Sequence, residues 1–297
     1  MITKQLGDVT YHLREDQDFS WLENKGTAFS CIDQTGSGCI SFGIENEGQR
    51  YFYKIAGAKT TGAEVGQEES IALLKEATKI YKELKHPNLI SLVDDYEIGE
   101  FYVAVYKWAD GECLFDHWNF DLYKQNPKLI RPIDAFKQLP IDKKLDVIDV
   151  LIDFMHTVHK HQYLAVDFYD SSLMYDFRNH HLTICDIDLF RKKPTFNDLG
   201  KDYFGTKRLK APEENELGAI IDEQTNILTL GAIICDLLSD VKNNKERYQE
   251  GIFIMNARED YCFNDESYEV LKKATSYNRL DRYTSVEEFK KAWDNAK

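Results

Sequence analysis

A glycine-flanked turn, a lysine inside an apolar strand and a series of aspartates are the residues of this chain whose types and spacing could do chemistry. Gly36-Ser37-Gly38, with Ser41 and Gly43 behind it, stands between two runs of strand-forming residues. Such a turn either closes a hairpin or lets backbone N–H groups approach a phosphate, because glycine reaches conformations closed to other residues. Lys54 lies inside Tyr51-Phe52-Tyr53-Lys54-Ile55. Its charge either leaves the strand on a solvent face or points inward, where it must be paired. Aspartates follow in the second half of the chain, at 167, 170, 186 and 188. A turn and a lysine to grip phosphates, one carboxylate for Mg²⁺ and another to orient a hydroxyl together make up phosphoryl transfer from ATP.

The elements that must position these residues fall into two parts. Thr27–Ile32, Ile40–Glu45 and Tyr51–Ile55 read as strands, with Glu47-Gly48 turning between the last two. Ile71, Leu74, Ala77, Tyr81 and Leu84 recur at helical spacing, and His86-Pro87-Asn88 ends that helix. Leu89–Val93 and Phe101–Trp108 read as two more strands. After an irregular connector over 116–140 the chain turns helical, with Leu145, Ile148, Leu151, Met155 and Val158 on one stripe and Ile227, Leu230, Ile234, Leu237 and Leu238 on another. Thr284 or Ser285 caps the last helix, with Glu287 or Glu288 three residues on. The pattern predicts an α+β fold: a small sheet-rich lobe, then a larger helical one, with a cleft between them for a ligand.

Composition narrows the partners. The chain has 297 residues, 43% of them hydrophobic and 13% aromatic, enough for a real core. Its net charge of −14 argues against nucleic acid or an anionic membrane as the main partner. The six cysteines form no CxxC pair, the N-terminus lacks the apolar core of a signal peptide, and no apolar run reaches the length of a membrane span. These features predict a cytoplasmic protein. His156, His159 and His161 are not completed to a metal site by a carboxylate or cysteine, and no Gly-x-Ser-x-Gly elbow is present.

The order of motifs resembles the protein kinase family. Val158-His159 leads through Ala165-Val166-Asp167 to a hairpin at Arg178-Asn179-His180 and on to Cys185-Asp186-Ile187-Asp188. Gly205-Thr206 precedes Ala211-Pro212-Glu213, Asn226–Gly231 resembles the buried central helix, and Arg282 is similar to the arginine that pairs with the Ala-Pro-Glu glutamate. More narrowly, Ala165–Tyr175 with Cys185–Asp188 resembles a bacterial serine/threonine protein kinase-like group. The resemblance implies a bilobal kinase fold with a small β-rich lobe over 27–107, a larger helical lobe over 108–297, and residues 1–26 as an extension. It implies Mg²⁺ (or Mn²⁺) and ATP as cofactors, with Gly36, Ser37, Gly38, Lys54, Tyr106 and Trp108 binding ATP. Asp167 would be catalytic with Lys54, Asp186 would hold the metal, Thr206 would mark the acceptor side of the activation segment, and 116–140 with 241–265 would bind the acceptor.

The chain also departs from the family pattern. Ala165 and Val166 replace the histidine and arginine before the catalytic aspartate, so an activation-segment phosphate has lost its usual counter-charge. Tyr169 replaces a lysine that steadies the transferring phosphate; Lys207 or Arg208 is a candidate substitute. Ser172 replaces an asparagine metal ligand, and Asp170 and Asp188, the latter in place of a glycine, either compensate as ligands or cap a turn. Glu76 is expected to pair with Lys54. Asn226 replaces an aspartate that anchors the catalytic loop. The expected function is a serine/threonine protein kinase acting on a protein substrate. The alternatives are a small-molecule phosphotransferase of the antibiotic-kinase kind and an ATP-binding pseudokinase or scaffold.

Overall fold

A computed structural model of the chain describes residues 1–116, 119–239 and 253–297. The chain divides into two compact units, Met1–Lys85 with Ile90–Ala109, and His86–Leu89 with Asp110–Lys297.

The first unit is built on a five-stranded antiparallel sheet. Its strands are β3 (Thr27–Ile32), β4 (Cys39–Asn46), β5 (Gln49–Ala56), β6 (Leu92–Ile98) and β7 (Phe101–Lys107), in the order β3-β4-β5-β7-β6. Alternation decides what each face does. Ile40, Phe42, Ile44, Tyr53, Ile55, Val103 and Val105 turn to one core, which is closed by Phe19 and by the hairpin β1 (Ile2–Leu6) and β2 (Val9–Leu13). Residues 1–26 therefore belong to this unit and cover one face of its sheet. The opposite face receives helix α1 (Gln67–Glu83), whose buried side includes Leu74, Ala77, Thr78, Ile80 and Tyr81. Thr78 Oγ1 lies 3.0 Å from the Tyr102 hydroxyl, and the Tyr81 and Tyr106 rings meet edge to face.

One expected strand is displaced. The fourth sheet strand lies over Leu92–Ile98 rather than Leu89–Val93. Its acidic run, Asp94, Asp95 and Glu97, suits an edge strand, where charge deters further pairing. Leu89 instead forms a parallel bridge with Ile184 in the second unit.

The second unit is mainly helical. After β8 (Glu112–Cys113), the region expected to be irregular carries two short helices, α2 (Phe120–Gln125) and α3 (Pro132–Lys137). Pro132 fits the first turn of α3 because a proline there loses no intrahelical hydrogen bond. The long helix α4 (Ile141–Lys160) leads to β9 (Tyr163–Leu164), the hairpin β10 (Leu173–Asp176) and β11 (His181–Ile184), then β12 (Arg191–Lys192), β13 (Thr195–Phe196) and β14 (Ile220–Ile221). Helix α5 (Glu223–Leu238) is buried almost all round, and α6 (Asp265–Ala274) and α7 (Val286–Ala296) pack near it. Asp222 caps α5 by accepting from Gln224 and Thr225. Ser285 caps α7 from Glu288 N–H at 3.1 Å, while Glu288 accepts from Thr284 N–H at 2.9 Å. Trp293 is fully buried, and its indole N–H ties α7 to Asp149 of α4 at 3.0 Å. Among the described residues no helix is long and apolar enough to cross a membrane.

Candidate functional site

In the first unit, Lys54 sits on β5, the middle strand of the sheet, opposite Ser41 on β4 and Ala104 on β7. Its neighbours in sequence, Tyr53 and Ile55, point to the core. Lys54 therefore stands on the other face of the sheet, the face on which Tyr102 and Tyr106 meet α1. Glu76 does not reach it. The Glu76 carboxylate is 68% exposed and pairs with Lys79 on the same helix. The sheet-facing position is Ala77, and one residue turns a helix by about 100°. The expected Lys54–Glu76 pair is thus corrected.

The Gly36-Ser37-Gly38 turn connects β3 to β4 as expected. Gly38 has φ +68°, and a Cβ there would lie 3.0 Å from Ser70 of α1. Gly36 O accepts from Glu64 N–H at 2.8 Å, and Gly38 O from Ala58 N–H at 3.1 Å. Among the described residues the N–H groups of Gly36 and Ser37 have no protein acceptor, and both residues are exposed. That is the donor arrangement an anion needs. Beyond β7, Trp108 N–H binds Arg50 O at 3.0 Å, and its ring joins Phe29 and Phe52. Tyr106 is buried against Tyr81 and Phe52.

In the second unit, backbone pairing assembles the aspartates. The β10–β11 ladder aligns Leu173 with Ile184, and Cys185 N–H extends it by bonding Ser172 O at 2.8 Å. Ser172 and Asp186 consequently stand at the same end of the hairpin, with Asp188 two residues further. Asp167 and Asp186 both adopt left-handed backbone, at φ 61° and 52°. For residues other than glycine this conformation is uncommon and concentrates at functional sites. The Asp167 loop is held from beneath by Asn226 of α5, which accepts from Ala165 N–H at 2.8 Å and donates to Ala165 O at 2.9 Å. Its amide performs both halves of the contact.

Asp167 lines a small cavity with Ala165, Phe168, Gly205, Thr206, Leu209, Lys210, Glu214 and Thr229. Burial pushes its carboxyl up to about 7, and the Asp186 charge adds to that; the Gly205 N–H and Lys210 draw it back. A carboxyl near neutrality can take a proton from a hydroxyl at physiological pH. Thr206 shares this cavity, so the structure brings these two expected residues together.

Asp170, expected either to compensate as a metal ligand or to cap a turn, is engaged by Arg208, while the settings of Lys210 and Glu214 escaped the sequence reading. Asp170, buried, is bonded by Arg208, whose other nitrogen holds Asp236 at 2.7 Å. Arg208 is therefore committed to two carboxylates rather than reaching toward the phosphate, while Lys207 is exposed. Tyr169, in the lysine position, packs its ring edge-on against Phe115. Glu214 is buried, accepts from Ala211 N–H at 2.7 Å, and is pushed by burial up to about 7. Lys210 is 3% exposed and donates to the Tyr203 carbonyl. Its signal in sequence was the one that marked Lys54, a charge set between apolar residues, here Leu209 and Ala211.

Below this, Glu213 and Arg282 form a buried two-pronged pair, with Nη1–Oε1 at 2.6 Å and Nη2–Oε2 at 3.2 Å. Thr225 Oγ1 adds a bond to Glu213 at 2.9 Å.

The donors present fit a divalent cation that arrives with its own phosphates. Ser172 Oγ is buried and has no hydrogen-bond partner among the described residues, and Ser172 O accepts from the N–H of Cys185, the residue before Asp186. Mg²⁺ is typically held by one or two carboxylates with substrate oxygens and water. Among the described residues no group of three His, Cys, Asp or Glu gathers as a metal site; His159 is buried, 3.7 Å from Glu223. Of the expected acceptor-binding regions, residues 117–118 and 241–252 lie outside the described residues.

No family model matches the chain. Over 210 residues, 70% of this chain, it is 21% identical to serine/threonine-protein kinase 36 of Pongo abelii. Over 233 residues, 75% of this chain, it is 24% identical to calcium-dependent protein kinase 5 of Plasmodium falciparum (isolate 3D7). The chain spans 14% and 38% of the lengths of those two proteins. These distant relatives are protein kinases, and they support a place for this chain in the protein kinase family.

Proposed function

We propose that this protein is a serine/threonine protein kinase that transfers the γ-phosphoryl group of Mg-ATP to a protein hydroxyl. The observation that carries this reading is Asp167, an aspartate in left-handed backbone, half-buried and raised to about 7 in a cavity it shares with Thr206. In this account Asp167 orients the acceptor hydroxyl and takes its proton. Asp186 and Ser172 hold the metal, with Asp188 as a further carboxylate. Lys54 and the Gly36-Ser37-Gly38 turn, through the N–H groups of Gly36 and Ser37, bind phosphates, and the backbone around Tyr106 and Trp108 takes the adenine. Mg-ATP supplies the phosphoryl group and the charge neutralisation that makes ADP a good leaving group. The Asp170–Arg208–Asp236 network holds the activation segment without a phosphate, so activity needs no prior phosphorylation there. The acidic composition and the sequence resemblance favour a cytoplasmic enzyme of the bacterial kinase-like group.

One observation favours a second reading, an ATP-binding pseudokinase: Glu76 faces solvent and pairs with Lys79. Labelled ATP with Mg²⁺ or Mn²⁺, offered to the protein alone and with a generic protein substrate, separates the readings. Label on serine or threonine supports the kinase. Stabilisation by ATP with no transfer supports the pseudokinase, and transfer to an aminoglycoside-type acceptor alone would make it a small-molecule phosphotransferase.

A further inference from the structure

The centre of phosphoryl transfer proposed above lacks a cation where Tyr169 stands, and three basic residues of the activation segment are near enough in sequence to replace it. Two are excluded by their surroundings. Arg208 spends its guanidinium on Asp170 and Asp236, and Lys207 is exposed. Lys210 is different. It is buried to 3% exposure, and it lines the same cavity as Asp167, Thr206 and Glu214. An ammonium carries three donors. Among the described residues one goes to the Tyr203 carbonyl, and no carboxylate lies within ion-pair distance. A buried ammonium with unspent donors is costly unless a charge compensates it. Burial lowers the Lys210 pKa from its ordinary value, and the two acids of the cavity, Glu214 and Asp167, act against that from a distance by favouring its charged form.

We propose that Lys210 is the cation that steadies the transferring phosphoryl group beside Asp167, in place of the residue lost at Tyr169. This rests on the kinase reading and adds a residue to it. The acceptor oxygen forms its bond to the γ-phosphorus while the bond from that phosphorus to the β–γ bridging oxygen breaks, its electron pair leaving on ADP. The hydroxyl proton passes to the Asp167 carboxylate. Lys210 stays protonated throughout and donates its unspent N–H groups to the equatorial oxygens, where charge concentrates in the transition state.

Binding of ADP and Mg²⁺ with and without aluminium fluoride, a mimic of the transferring group, tests this without requiring turnover. In the wild-type protein aluminium fluoride should tighten ADP by tenfold or more, on the order expected of transition-state mimics. Lys210→Arg should keep most of that gain and Lys210→Gln should lose it, while ADP alone binds all three proteins equally. Melting temperatures close to wild type separate lost charge from lost fold. If Gln unfolds the chain, Lys210→Met, similar to lysine in volume, takes its place. Full tightening in the Gln or Met variant would overturn the proposal and leave Lys210 as a tie to Tyr203. No tightening in the wild type would instead overturn the kinase reading itself, and Lys210's role with it.

Discussion

Asn226 of helix α5 clasps both backbone groups of Ala165, accepting from its N–H at 2.8 Å and donating to its carbonyl at 2.9 Å. The contact fixes the strand-to-loop step two residues before Asp167. Asn226→Asp keeps the acceptor and removes the donor, leaving a buried carbonyl facing a carboxylate. It should cost about 1–3 kcal/mol, the usual penalty for an unsatisfied buried polar group. Chemical denaturation compares the two proteins directly, and an unchanged midpoint would show that the clasp contributes nothing to stability.

The Glu213–Arg282 pair makes a larger prediction. Burial alone would raise the Glu213 carboxyl, but Arg282 outweighs it and holds the group below its ordinary range. Removing one partner strands a buried charge, and Arg282→Met should destabilise by about 3–5 kcal/mol. The sign with pH follows from the lowered value. The stability Glu213 contributes is present above its unfolded pKa of about 4.3 and lost as pH falls through the folded one. Acid titrations of wild type and Arg282→Met, followed by circular dichroism, should converge at low pH; a constant gap would contradict this assignment.

Glu214 has the opposite sign. Its carboxyl is raised to about 7 by burial, so the fold favours its protonated form. Below the unfolded pKa both states are protonated and nothing is lost; as pH rises toward 7 the penalty grows and then levels. Glu214→Gln keeps an acceptor for Ala211 N–H and cannot ionise. It should stabilise the protein on the order of 1–3 kcal/mol at pH 8 and by nothing near pH 4. Melting temperatures across that range test it, and a gain independent of pH would sink the account.

Much of the scaffold was legible because its periodicities are plain. Ile40, Phe42 and Ile44 alternate with polar or small neighbours on β4, and the stripes of α1, α4 and α5 recur at helical spacing. The Ala211-Pro212-Glu213 motif and Arg282, 69 residues apart in sequence, are paired in space. The β1–β2 hairpin was missed because Lys4 interrupts the apolar positions Ile2 and Leu6 of β1, and each strand has only five residues. The six-residue helices α2 and α3 are too short to show a period. Glu76 went wrong by one residue, which on a helix is the difference between facing the sheet and facing water. The surroundings of Asp170 and Glu214 were not legible for another reason. Their environment is made by contacts distant in sequence, such as Arg208 and Asp236 closing on Asp170.

The central claim is that Asp167 serves phosphoryl transfer, and the rate of that transfer from Mg-ATP in wild type and Asp167→Asn tests it most directly. Asn preserves the shape and removes the base. The account predicts a wild-type rate that rises with pH up to about 7, where the Asp167 carboxyl ionises, and a loss of about 10²–10⁴-fold in Asp167→Asn at neutral pH. Equal rates in the two proteins, or transfer by neither while ATP is bound, would contradict it.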